Sequence, residues 1–229
     1  MILILCTVLI LAQSSTSAGP SEANAILAKA IDAAGGQDAL KRARALHWRG
    51  KATIHAGGRE IRVEGRWSVE PPDRASVTTW EVERGEWTAR RMIIDGKKGS
   101  MERDGRSAPL PPAMLANERD QFYLYSVLQL TPLLDSDVKL TAISEEGSTG
   151  LRVVRPGRPE VSIHFDIAGR PTRLRTSVLD TVTKRQVAEE MQFEGVLESQ
   201  GVRWPQRIRI LQAGELFFDL EISEFRITQ

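Results

Sequence analysis

The chain has 229 residues, of which 41% are hydrophobic and 27% are charged, and these fractions exclude both a disordered chain and a multispan membrane protein. Its 31 Lys and Arg residues nearly balance its 30 Asp and Glu residues, so the formal charge is +1 and no global field attracts nucleic acid. A chain of this length and composition is expected to fold in water as one sizeable domain.

The first eighteen residues carry no charged side chain and include an apolar run from Ile2 to Ala12. This run is too short to span a bilayer, which takes about 20 residues, but it is typical of a signal peptide. Small residues at Thr16 and Ala18 favour cleavage after Ala18, although no Lys or Arg precedes the run. We therefore expect residues 1–18 to be a signal peptide and residues 19–229 to be a single exported domain. The one cysteine, Cys6, lies in the signal segment, so no thiol chemistry is expected in the mature domain.

The first predicted elements are a short amphipathic helix and a long hairpin. The helix begins near Ser21 and ends at Gly35-Gly36, because glycine readily adopts the left-handed conformation. Apolar and polar residues then alternate along two strands joined by Gly57-Gly58, which predicts a β-hairpin. The alternation places Trp48 and Trp67 on one covered face of the sheet. It places three arginines on the solvent face: Arg49, Arg62 and Arg66.

Further strands are predicted between turns that contain glycine, such as Asp95-Gly96 and Ala168-Gly169. They are expected around residues 77–82, 87–94, 138–143, 151–154, 161–167, 174–179, 187–197, 202–211 and 216–227. The connections are too short for parallel crossovers, so about eleven strands are expected in one antiparallel sheet. One stretch, residues 109–134, breaks the alternation and predicts a loop that leads into one or two amphipathic helices.

Several turn and strand-edge motifs accompany the lead helix before Gly35-Gly36 and the long hairpin. These motifs are Pro72-Asp73-Arg74, Ile94-Asp95-Gly96-Lys97, His164-Phe165-Asp166 with Gly169-Arg170-Pro171, and Gly201-Val202-Arg203-Trp204-Pro205. In this order the elements and motifs resemble the LolA/LolB-like superfamily. The resemblance covers nearly the whole mature chain. It implies a mainly β fold, an unclosed antiparallel half-barrel with N-terminal and mid-chain helices over its concave face, and acyl chains carried in an apolar hollow.

Candidate catalytic residues are few. His164 and Asp166 share a strand face with Ser162, but that face is the polar complement of Val161, Ile163, Phe165 and Ile167, so solvated strand residues are expected. The neighbouring Glu189 and Glu190 point to opposite faces of a strand and are interpreted as ordinary surface carboxylates. Because no nucleophile elbow, phosphate loop or zinc-protease motif occurs in the sequence, we expect no enzyme activity, no cofactor and no metal site.

Large apolar side chains converge if the sheet curls as expected. The predicted cavity-lining residues are Trp48, Trp67, Met92, Phe122, Phe165, Met191, Phe193 and Phe218. Each of them could equally well pack a filled core, but a half-barrel this wide is hard to fill from one sheet and two short helices, which favours a ligand cavity.

The leading hypothesis is therefore a periplasmic carrier of lipid or acylated protein cargo. It is expected to be monomeric, to bind no nucleic acid, and to have envelope membrane proteins as further partners. Two alternatives stay open: a stress-sensing or interaction module of the envelope with the same fold, and an uncharacterised hydrolase.

Overall fold

The structure is a computed structural model that describes residues 20–145, 147–179 and 185–229. The predicted signal peptide, residues 1–18, lies outside the described residues, as does residue 19 at the start of the predicted mature domain. Within the described ranges the chain is mainly β, and its large antiparallel sheet is not closed into a barrel. In these ranges no helix is long and apolar enough to cross a membrane.

Three helices accompany the sheet. They are α1, Pro20–Ala33; α2, Gln37–Arg42; and α3, Pro112–Leu128. Helix α1 buries Ala23, Leu27, Ala30 and Ile31, whose spacing of three and four residues forms one apolar stripe. The mid-chain helix predicted within residues 109–134 is α3, which a 3-10 turn at Thr131–Leu134 follows.

Strands make up most of the remaining chain. On the amino-terminal side of α3 they are β1, Ala45–Ala56; β2, Arg59–Glu70; β3, Arg74–Glu81; β4, Arg90–Asp95; β5, Lys98–Arg103; and β6, Arg106–Pro109. On its carboxyl-terminal side they are β7, Lys139–Glu145; β8, Ser148–Val154; β9, Val161–Phe165; β10, Pro171–Leu179; β11, Gln186–Glu194; β12, Leu197–Ser199; β13, Val202–Trp204; β14, Arg207–Gln212; and β15, Glu215–Thr228.

The large sheet has a simple order, β6-β5-β4-β3-β2-β1-β15-β14-β11-β10-β9-β8-β7. The chain starts at the centre with β1, meanders outward to the edge at β6, and re-enters at the opposite edge with β7. Helix α3 makes this passage, and it contacts β9 and β10 on the way. The second meander returns to the centre, where β15 pairs with β1 in antiparallel register. Helix α3 therefore bridges the two edges of an open sheet.

The sheet has two faces of different chemistry, as the alternation in the first hairpin predicts. Trp48 lies opposite Trp67 in the register of β1 and β2, and both side chains are buried. Arg49, Arg62 and Arg66 lie on the other face and are exposed. These two placements are confirmed. We call the face that carries Trp48 and Trp67 the inner face.

The sheet contains thirteen strands within the described ranges, compared with about eleven expected. The two additional strands are β5 and β6, on either side of the Asp104-Gly105 turn. Their residues are mostly charged or small, and β6 is exposed throughout, so neither carries an alternating apolar pattern. The expected strand 202–211 is divided because Pro205, which cannot donate a backbone hydrogen bond, follows β13.

A separate hairpin of β12 and β13 supports the end of α1. The backbone N–H of Arg203 donates to the carbonyl oxygen of Ala34 over 2.9 Å. Gly35 has a φ of +120°, and a Cβ atom at this position would overlap the carbonyl oxygen of Gly201. Gly36 also has positive φ, +90°, but a Cβ there would meet nothing within 4 Å. The first glycine thus permits close contact as well as an unusual backbone conformation, and the second permits only the conformation.

This difference gives a matched test of the docking of α1. Both Gly35→Ala and Gly36→Ala should be destabilised by about 1–3 kcal/mol of backbone strain. Gly35→Ala should lose roughly a further 1–3 kcal/mol, because the helix end must separate from the hairpin. Urea unfolding measures the free energy of unfolding of the two variants, and the two values are compared if the m-values are equal. Equal losses would show that the contact with Gly201 does not stabilise the fold.

Candidate functional site

The centre of the inner face is an aromatic cluster. The rings of Trp48 and Trp204 stack with their centroids 5.8 Å apart, and Trp204 stacks on Phe225 at 5.8 Å. From α3, the ring of Tyr125 approaches Trp48 to 5.2 Å. Trp67 stacks beside Trp48 at 6.4 Å. Contacts of this kind add about 0.5–1.5 kcal/mol each to the burial of apolar area, so the cluster holds α3 firmly to the sheet.

All eight predicted cavity residues belong to, or pack against, one continuous hydrophobic core. Six of them are buried: Trp48, Trp67, Phe122, Phe165, Met191 and Phe193. The other two, Met92 and Phe218, are half-buried. The sequence pattern thus brings the eight together on one side of the sheet, and the structure fills most of the interior with their own side chains.

The inner face is partly open near the β1–β2 turn. In the strand register Ile54 lies opposite Ile61 on one side and Phe218 on the other. Ile54 and Phe218 are half-buried, and Ile61 is 41% exposed. Met92, also half-buried, lies on the same face but in the row of Val77 and Trp67, six residues along β2 from Ile61, roughly 20 Å. We call Ile54, Ile61 and Phe218 the apolar opening, because all three are inner-face apolar side chains that solvent reaches near the β1–β2 turn.

A buried carboxylate lies beside this opening. Glu189 of β11 is 2% exposed and accepts hydrogen bonds from Gln121 of α3 over 2.7 Å and from Gln212 of β14 over 2.9 Å. Burial raises the pKa of Glu189, and the two amide donors oppose that rise. The interpretation of Glu189 as a surface residue is therefore wrong. Its position shares the parity of Met191 and Phe193 on β11, and this signal could have placed it on the inner face.

A second carboxylate, Glu118, lies on the same side of α3. Glu118, Gln121 and Tyr125 are spaced by three and four residues, so they share one face of the helix. Burial raises the pKa of Glu118 to about 7. The pKa of the Tyr125 hydroxyl is also raised, first by burial and then by the charges of Glu189 and Glu118. This polar group can accept hydrogen bonds or bind a proton inside an otherwise apolar interior.

The expectation that His164 is solvated is also wrong, because its side chain has no exposed area. It lies on the outer face, where Arg173 of β10 is its register partner and the nearby Glu145 lies 3.8 Å from Nε2. The aliphatic stems of long arginine side chains can cover a neighbour in this way. The pKa of His164 is lowered, mainly by burial and then by the charge of Arg173. The same strand was predicted too long, since Ile167 lies in the following turn and is 94% exposed.

His164 has a serine neighbour, but the contact indicates a structural role. Ser148 Oγ lies 3.3 Å from His164 Nδ1 and donates a 2.8 Å hydrogen bond to the carbonyl oxygen of Glu145, across the β7–β8 turn. Asp166 accepts from the backbone N–H groups of Ala168 and Arg170 and thereby fixes the turn after β9. Among the described residues, no group of three or more His, Cys, Asp or Glu side chains could hold a metal ion.

A cavity of about 210 Å³ opens near the other end of β11. Phe193, Leu128 and Trp204 form its inner part, and these residues also belong to the hydrophobic core. Its outer part includes Val196, Arg170 and Arg203. We call this space the Phe193 cavity. Phe193 is the one predicted cavity residue that lines it.

Comparison with known proteins places this geometry among solved folds. No protein-family model matches the sequence, and no curated protein matches it. A LolA superfamily protein from Nitrosomonas europaea matches with a TM-score of 0.57 and 13% sequence identity, over 90% of this chain and 94% of that one. A putative outer membrane lipoprotein-sorting protein domain from Vibrio parahaemolyticus matches with a TM-score of 0.57 and 10% identity, over 91% and 93% of the two chains.

A DUF1329 family protein from Desulfovibrio piger is similar to the same degree, with a TM-score of 0.57 and 11% identity over 90% of this chain and 92% of that one. Identities this low show the fold alone. The LolA-like fold and the unclosed half-barrel expected from the order of the sequence motifs are confirmed.

The partial burial of Glu118 makes the free energy of unfolding depend on pH. Its folded-state pKa of about 7 lies above the ordinary value of 4.5, so the folded chain binds more protons between these values. The free energy of unfolding should therefore fall as pH rises from about 4.5 to 7. Glu118→Gln removes this contribution and should be more stable than the parent at pH 8 by about 1–3 kcal/mol, with no difference at pH 4. Glu189 and Asp120, whose pKa values are also raised, should leave part of the slope in place.

Urea unfolding at pH 4, 6 and 8 measures this effect. Glu215→Gln at the exposed start of β15 is the control and should change stability by less than about 0.5 kcal/mol at each pH. An equal slope in the parent and in Glu118→Gln would mean that solvent reaches the Glu118 carboxylate in the folded chain.

Proposed function

We propose that this chain is an exported carrier that holds acyl chains of a lipid or of a lipidated protein against its inner face, without catalysis. The observation that carries the proposal is an unclosed LolA-like sheet with an apolar opening on its inner face. A solved structure with the same fold is described as an outer membrane lipoprotein-sorting domain, which supports both the carrier function and an exported, periplasmic location.

Burial along α3 suggests how an acyl chain enters. Residues 122–128 of the helix are all buried, whereas residues 112–121 are half-buried or exposed. The first half is held by polar contacts, Gln121 with Glu189 over 2.7 Å and Arg119 with Asp73 over 3.5 Å, and by Leu115, its partly buried apolar anchor. Polar contacts can be exchanged for contacts with water, but the apolar contacts of the second half cannot. We infer that loading lifts the first half of α3 and leaves the second half in place.

The chemistry of the opening favours slender apolar cargo. The residues of the apolar opening, Ile54, Ile61 and Phe218, offer aliphatic and aromatic contacts, and Met92 is a further half-buried apolar residue on the inner face. Each methylene that leaves water contributes up to about 0.8 kcal/mol before ordering costs, so affinity should rise with chain length by up to about fourfold per methylene. Ligands without an acyl chain should bind much more weakly.

Two adjacent residues on β4 provide a matched test. Met92 and Ile93 are both half-buried, but Met92 faces inward opposite Val77, and Ile93 faces outward opposite Ser76. Met92→Glu should weaken binding of a fluorescent fatty-acyl probe at least tenfold, because a charge on the inner face must lose water when the chain binds there. Ile93→Glu should change the affinity less than about twofold, since its charge stays in water.

Titration of the full chain, as secreted by its host, with probes of 8 to 16 carbons measures these affinities. Circular dichroism first establishes that both variants are folded. Native mass spectrometry of the same preparation, followed by lipid extraction, identifies cargo that purifies with the protein. Affinity independent of chain length, or equal effects of the two substitutions, would falsify the carrier proposal. Hydrolysis of acyl esters that His164→Ala abolishes would favour the hydrolase alternative.

A further inference from the structure

The Phe193 cavity lies apart from the apolar opening. Glu189, beside the opening, and Phe193, in the cavity, both lie on the inner face of β11. They are four residues apart, roughly 13 Å along a strand. The cavity is bounded by the end of α1 at Ala34, by Leu128 of α3, and by the turn after β9. It thus reaches the core from a different side of the molecule.

The inner part of this cavity is apolar and contains one unsatisfied donor. Phe193, Leu128 and Trp204 line it and are each at most 7% exposed. The indole Nε1–H of Trp204 is buried, and among the described residues it has no hydrogen-bond partner. A buried donor without a partner costs about 1–3 kcal/mol.

The outer part is polar and carries two guanidinium groups. Arg170 has 58% and Arg203 has 49% of its side chain exposed. Each already binds one carboxylate, Arg170 with Asp166 over 2.8 Å and Arg203 with Glu198 over 3.2 Å. A guanidinium has five N–H donors, so both retain donors for a further oxygen. Asp166 also lines the cavity, but Arg170 and two backbone N–H groups bind its carboxylate.

The size of the cavity limits the ligand. About 210 Å³ is less than the roughly 300–1,000 Å³ of sites that enclose drug-sized ligands. A diacyl lipid does not fit this volume, whereas one unbranched chain of medium length does. Apolar walls and two cations at the entrance together match a chain that ends in an anionic oxygen acceptor.

We propose that the Phe193 cavity is a second ligand site, which binds a single medium-chain carboxylate. The chain packs against Phe193 and Leu128 beside the Trp204 indole, and the carboxylate lies at the entrance near the guanidinium groups of Arg170 and Arg203. The proposal extends the proposed carrier function by assigning a separate site for a short acyl chain, but the two can fail independently.

Decanoate is the probe, and the indole N–H resonances of the isotope-labelled full chain are the readout. The Trp204 resonance is assigned by its loss in Trp204→Phe. Decanoate should shift this resonance in a saturable way. Decylamine, which has the same chain length but the opposite charge, should bind at least tenfold more weakly, and Arg170→Gln should reduce this preference. Absence of a Trp204 shift, or equal binding of the amine, would overturn the proposal.

Two half-exposed valines provide the matched variants. Val196 lines the cavity and is 44% exposed, whereas Val154 on β8 is 38% exposed and lies away from it. Val196→Glu should weaken decanoate binding at least tenfold, and Val154→Glu less than twofold; equal effects would contradict the assignment of the site. A long-chain probe that Met92→Glu weakens and Val196→Glu does not would show two separate sites. Decanoate binding without long-chain binding would sink the carrier proposal alone, and the reverse result would sink only the second site.

Discussion

The structure depends on one constraint: an open sheet with an apolar inner face must be covered, and two helices cover it, α1 over β7 and β8 and α3 over the centre and over β9 and β10. Because the two meanders end at opposite edges, β6 and β7, the chain has to cross the inner face between them. Helix α3 makes this crossing and places Tyr125 against Trp48 of the sheet and Trp204 of the β12–β13 hairpin, with Phe122 beside Tyr125 on the helix. The sheet supplies the apolar area that keeps α3 in place, and α3 shields that area from water. Neither would be stable without the other.

This arrangement explains why the polar interior residues lie where they do. The apolar face of α3 cannot contact the sheet along the whole length of the helix. Polar positions of α3 therefore meet the sheet at one end. Gln121 satisfies Glu189 there, and Glu118 lies one turn earlier on the same side. Burying these carboxyls raises their pKa values, which is the electrostatic cost of covering the opening. The buried aromatic cluster and the polar, half-buried first half of α3 therefore both follow from the path of α3 across the inner face.

The sequence predicts the faces of the sheet better than its edges. Strict alternation along β1 and β2 places Trp48 and Trp67 correctly, because a slip of one residue would expose every apolar side chain of the hairpin. The edge strands β5 and β6 carry no such pattern, since one of their faces has little core to contact. The candidate site shows a similar limit. Alternation tells which face a residue occupies, but not what covers it, so His164 on the outer face is buried by its neighbours although it was expected to be solvated.

Glu189 shows why the burial of a charged residue is hard to predict from the sequence. The residue type favoured the surface, whereas its parity with Met191 and Phe193 favoured the interior, and the parity is correct. A charged residue can occupy an inner-face position when partners reach it from elsewhere, here Gln121 and Gln212. These partners are far away in sequence, so only the three-dimensional fold shows that the buried carboxylate is hydrogen-bonded. If the first half of α3 lifts as proposed, Glu189 loses Gln121 but keeps Gln212 and gains water. Lifting the first half of α3 then costs far less free energy than exposing the aromatic cluster. The proposed entry route follows from that difference.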